Sequence, residues 1–132
     1  MIIDSMLLDN LTEEARRSPR LRMNHDLRNS SEDGSQRMLN AMEPGTVIPV
    51  HRHTRSSETV VVIRGTIRQN FYDADGNLTE SIVYKAGGDV SICVVPLGAW
   101  HNSESLEPGT IIFEAKDGAY EPLGEDDILT LE

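Results

Sequence analysis

From residue 37 onward the chain settles into short apolar runs, rich in valine and isoleucine, cut at close intervals by glycine, proline and aspartate. The pattern predicts strands at Arg37–Met42, Val47–His53, Glu58–Ile63, Thr66–Tyr72, Leu78–Tyr84, Val90–Val95 and Thr110–Ala115. Asp73-Ala74-Asp75-Gly76-Asn77, between two of these runs, has hairpin-turn chemistry. Strands this evenly spaced, with no long helical pattern between them, predict an all-β sandwich or barrel.

The first 36 residues read differently. Asn10-Leu11-Thr12-Glu13 predicts a helix start with Glu13 at the capping-box position, and the helix continues to Arg17. Pro19 closes it, because the residue before a proline is pushed out of the α region. Arg20–Ser35 is polar, and Asn29–Gly34 reads as loop. At the other end, Glu125–Glu132 is acidic and fits either a solvated end or an added edge strand. The expected organisation is one folded unit: a helix and loop segment over 1–36, a barrel over 37–122 and an acidic tail over 123–132.

Composition narrows the function classes. With 22 acidic against 12 basic residues and a formal net charge of -10, the chain is poorly suited to nucleic acid or to an anionic membrane. A single cysteine excludes a disulfide framework and a cysteine-based zinc cluster. That residue, Cys93, lies among Ile92, Val94 and Val95 and reads as a small core hydrophobe. The first nine residues carry two aspartates and no basic stretch, and no apolar run approaches the ~20 residues of a membrane span. A cytoplasmic protein is the expectation.

Three of the four histidines carry the chemistry. His51 and His53 are two apart in a predicted strand, so they project from one face. Glu58 follows a short polar connection, and an antiparallel return would set its carboxylate beside them. His101 comes after the turn Pro96-Leu97-Gly98-Ala99-Trp100. Imidazoles with one carboxylate suit a divalent transition metal (Fe, Mn, Zn or Ni), and four protein ligands leave coordination positions open for substrate. If His101 points inward, the alternation of a strand turns Trp100 outward.

These residues also carry a resemblance. Gly45-x5-His51-x-His53-x4-Glu58-x6-Gly65 resembles the first cupin motif at every defined position, and Gly88-x7-Pro96-x-Gly98-x2-His101 resembles the second. In the second motif the glycine stands farther from the proline than usual, and Ser105 replaces a late asparagine. Neither is a ligand position in cupins. Arg20–Asn24, Ser35–Ala41, Glu43–Thr46 and Glu107–Glu114 extend the likeness to WbuC-type cupin-fold metalloproteins over roughly Pro19 to Pro122. The resemblance implies a single cupin-type jelly-roll β-barrel with a short N-terminal helix. It also implies a mononuclear metal on His51, His53, Glu58 and His101, and an association with surface-polysaccharide gene clusters.

Five of the 12 basic residues fall between positions 16 and 28, against the single acid Asp26. Arginine forks suit carboxylate or phosphate. Arg20, Arg22 and Arg55 are therefore candidates for holding an anionic substrate, and His25 for lining its pocket. The functional expectation is a metal-dependent small-molecule enzyme acting on a sugar-related or anionic substrate by isomerase- or epimerase-like chemistry, with Glu58 as a candidate base. An iron-dependent dioxygenase and a non-catalytic metal- or sugar-binding module are the alternatives. Homodimerisation is expected, because small barrels expose sheet edges.

Overall fold

Leu8, Leu11, Thr12 and Ala15 fall at the spacing that puts four side chains on one helical face. Asp4 stands just ahead of them, and its carboxylate accepts a hydrogen bond from the N–H of Leu7 at 3.0 Å. The computed structural model, which describes residues 1–131, accordingly carries helix α1 over Ser5–Arg17. The expected start at Asn10 is corrected: Asp4 caps the helix earlier, where the apolar stripe begins. Its end falls as expected ahead of Pro19, with the Ser18 N–H donating to the carbonyls of Glu14 and Ala15.

The strands are β1 (Arg22–Asp26), β2 (Ser35–Met42), β3 (Val50–His51), β4 (Glu58–Arg64), β5 (Thr66–Tyr72), β6 (Leu78–Lys85), β7 (Ile92–Val95), β8 (Trp100–Ser105) and β9 (Thr110–Asp117). A 3-10 turn at Glu125–Asp127 leads into β10 (Ile128–Leu129). They form two antiparallel five-stranded sheets, ordered β1-β2-β9-β4-β7 and β10-β3-β8-β5-β6, in a jelly-roll arrangement. β8 adds to the seven predicted runs, and two other strands depart from expectation. β1 lies in a stretch expected to be irregular, and pairing along β2, from Arg22↔Met42 to Asp26↔Met38, holds it. β3 is far shorter than Val47–His53; Pro49, which has no N–H to give a ladder, sits just before it. The tail supplies an edge strand, Ile128 pairing with His51; its last residue, Glu132, lies outside the described residues.

The core has two parts. Outside the barrel, α1 lays Leu8, Leu11 and Ala15 against Leu39, Ala41 and Ile111 on the outer face of β2 and β9. Inside it, Met42, Val60, Val62, Ile67, Tyr84 and Ile112 interdigitate. Half-buried Cys93 packs against this inner cluster. The register matches Val62 with Ile112, Val60 with Glu114 and Glu58 with Lys116 on one inward row. The interior therefore runs from apolar at one end to charged at the other. The first motif's closing glycine, Gly65 at φ +81°, turns the chain from β4 to β5. A Cβ there would stand 2.7 Å from the Thr110 Cα, so only glycine fits. Among the described residues no helix is long and apolar enough to cross a membrane.

Candidate metal centre

His51 on β3 and His101 on β8 are direct cross-strand partners, which explains how residues far apart in sequence meet. Their ring centroids lie 4.3 Å apart, with His53 at 4.9 Å from His51 and 5.4 Å from His101. One nitrogen from each of the three falls within 4.8 Å of the others. The tautomers are set locally. His51 Nδ1 lies 2.8 Å from the Pro49 carbonyl oxygen, and His101 Nδ1 2.8 Å from that of Ala99. A carbonyl oxygen only accepts, so each Nδ1 carries the proton and each Nε2 presents a lone pair.

Glu58 opens β4 with its carboxylate buried. Its Oε2 lies 3.0 Å from His53 Nε2, in contact though not aligned as a hydrogen bond, and 3.4 Å from Lys116 Nζ. Burial alone would raise the Glu58 pKa, but its contact with His53 and the Lys116 ammonium outweigh that and hold it below the carboxylate range. Burial, reinforced by His101, lowers His51 to about 4. Burial also lowers His101, against the opposing pull of Ala99 and Glu58. Glu114 shifts upward, first through burial and then through the charge of Glu58.

The residues present fit a metal ion. The Nε2 atoms of His53 and His101 are buried with no hydrogen-bond partner, an arrangement that is costly unless something else takes the lone pairs. Imidazoles beside a carboxylate are the donor set a divalent cation requires. Beneath them lies a cavity of about 130 Å³, walled by His51, Glu58 and His101 together with Asn40, Met42, Ile48, Ser103, Glu114 and Lys116. An outer pocket of about 100 Å³ reaches His53 and Lys116 from the surface, past Arg52, Arg55 and Glu121.

The structure brings His51, His53, His101 and Glu58 together and distributes the remaining candidates elsewhere. Arg22 donates to the Thr46 hydroxyl and the Val47 carbonyl. Arg20 is exposed, and its carbonyl accepts from Thr46. His25 sits on β1 beside α1, sharing a pocket with Leu7, Asn10 and Glu14. Arg55 stands at the rim of the outer pocket, paired with Glu121 at 2.6 Å. Trp100 carries the Arg52 guanidinium over its ring, 4.6 Å from the centroid. Two site residues have no counterpart in the sequence reading, Glu114 and Lys116. Their only signal was alternate spacing, Glu114 within the predicted strand Thr110–Ala115 and Lys116 just past its end.

The family model described as a domain of unknown function, DUF6016, matches residues 3–84, more than half of the chain. The chain belongs to that family. The DUF6016 match takes in His51, His53 and Glu58, while His101, Glu114 and Lys116 lie beyond it. No curated protein matches the sequence. Among solved structures, an oxalate oxidase in complex with the substrate analogue glycolate is similar at TM-score 0.63 and 18% identity, over 79% of this chain and 54% of that one. A Bacillus subtilis oxalate decarboxylase, studied for its Mn(II) centres, gives 0.59 and 21%, over 76% and 26%. The cupin domain of Schizosaccharomyces pombe Cnp3 gives 0.59 and 13%, over 74% and 61%. This DUF6016 chain thus spans about half the length of the oxalate oxidase. At these identities the likeness establishes the cupin fold.

Proposed function

We propose that the protein holds one divalent transition metal, drawn from Fe, Mn, Zn or Ni, on His51, His53, His101 and Glu58, and uses it on a small anionic or sugar-related substrate. One observation carries the reading: three imidazoles converge within 4.8 Å, two of them locked with Nε2 free. A metal bound there supplies Lewis acidity toward a substrate carbonyl or hydroxyl oxygen.

The chain's own residues do the rest. The Pro49 and Ala99 carbonyls orient the rings, and Glu58 contributes the negative charge of the set. Glu114, on the cavity wall with its pKa raised, is suited to hold and return a proton at neutral pH, as isomerase- or epimerase-like chemistry requires. Asn40 and Ser103, on the same cavity wall, offer polar groups to hydroxyls. The likeness of Arg20–Asn24 and Glu107–Glu114 to WbuC-type proteins supports placing the substrate in surface-polysaccharide metabolism.

Elemental analysis of protein purified without chelator tests the reading. About one metal per chain is expected, lost in His51→Ala; a parent protein without bound metal would sink it. The likeness to a structure named as an oxalate oxidase favours oxygen-dependent chemistry as a second reading. Oxygen uptake by the Fe(II)- or Mn(II)-loaded protein, absent from an isomerase, separates the two.

A further inference from the structure

We infer that Lys116 is the anchor for a substrate carboxylate, which makes a small hydroxy acid the class of ligand this cavity takes. The inference rests on the metal-centre reading and deepens it.

Lys116 lies in register with Glu58, and its side chain is only 16% exposed. It borders both the inner cavity and the outer pocket, so it stands on the way from solvent to the histidines. Among the described residues Glu58 is its one ion-pair partner, and Glu114, two positions away on the same face, makes no ion pair. An enclosed ammonium needs a counter-charge. Once a divalent cation draws on Glu58, Lys116 must share its one ion-pair partner. A substrate carboxylate restores the balance, with the ammonium's remaining N–H donors directed at it.

A second observation points to a hydroxyl. Asn40 is 8% exposed on the cavity wall, and its Oδ1 is buried with no hydrogen-bond partner. A side-chain amide so placed gains most from a ligand group that both donates and accepts, and a hydroxyl does both. Size sets the rest. The cavity, about 130 Å³, is well below the roughly 300–1,000 Å³ of pockets for drug-sized ligands, which suits a short-chain acid. Of the arginines expected to hold the anion, Arg22 is committed to Thr46 and Val47, Arg20 is exposed and lines neither pocket, and Arg55 stands at the rim.

The test uses metal-loaded protein, its loading read first by elemental analysis, with glycolate as probe in isothermal titration. Lys116→Met is expected to keep its metal and to bind glycolate about 10- to 100-fold more weakly. Lys116→Arg should retain most of the affinity, and ethylene glycol, the uncharged analogue, should bind both variants alike. Asn40→Leu should bring glycolate down to the affinity of acetate. Should Lys116→Met fail to fold, wild-type protein must still prefer glycolate to ethylene glycol by about tenfold or more. A chain that loads no metal would overturn the parent reading. A loaded chain that ignores glycolate, or binds it equally well without Lys116, would overturn the Lys116 assignment alone.

Discussion

His51 and His101 reach the same state by one local device: each ring keeps its Nδ1 proton and donates it as a hydrogen bond to the carbonyl two residues back in its own chain. Burial then keeps the ring neutral, lowering His51 to about 4. Below its ordinary pKa of about 6.5 the unfolded chain binds a proton that folded His51 refuses. Stability of the metal-free protein should therefore fall as pH drops from about 6.5 toward about 4, by some 2–3 kcal/mol for this residue, and stay level above. Urea unfolding of chelator-treated protein at neutral pH and near pH 5 checks this; unchanged midpoints would contradict it. The clustered histidines were legible in the sequence because local spacing and a shared strand face constrain where such side chains can point. Lys116 and Glu114 were not, since their inward direction depends on β9 pairing with β4, a contact between distant segments.

The elements differ in how much they stand on their own. β4 was legible from its unbroken valine and isoleucine run ending at Gly65, and β5 from the β-prone residues between Gly65 and Asp73. β1 was not, because its polar sequence becomes a strand only by lying along β2. The start of α1 escaped notice because Asp4 caps it from a stretch that reads as a plain terminus. The corner between β4 and β5 leaves no freedom at Gly65, where an added Cβ meets Thr110 backbone and side chain. Gly65→Ala should cost about 2–3 kcal/mol or more through strain and displacement of β9. Thermal melts would show it, and a wild-type midpoint would refute it. Leu11→Ala should cost about 2–4 kcal/mol, since Leu11 is 4% exposed between α1 and the sheet. It should leave metal content unchanged, because α1 packs on the outer face of the barrel.

At the scale of the whole molecule, the proposed ion would be held only by the folded barrel, would draw on β3 and its following loop, β4 and β8, and so would link both sheets. Binding the native state alone stabilises it by mass action, about 2.7 kcal/mol at a hundredfold excess over Kd, or about 10 °C for a chain of this size. Melting with and without chelator measures that shift, which His101→Ala should abolish. Strand spacing made the all-β class legible and left sandwich and barrel open; the motif resemblance supplied the jelly roll, and the graded interior, apolar to charged, required the register of the sheets.

The short strand β10 lies on β3, with Ile128 opposite His51, Asp127 accepting from the Arg52 N–H and the two side chains paired at 3.1 Å. The last turn of the chain is thus a splint on the backbone that carries two of the histidines. Whatever pulls on that end is transmitted to the ion-holding cluster: trimming at residue 124 should loosen His51 and weaken metal retention several-fold in a chelator competition, while an equal trim ahead of Asp4 should not. A purification handle placed at the C-terminus would act as a lever on the site, and one at the N-terminus would leave it at rest.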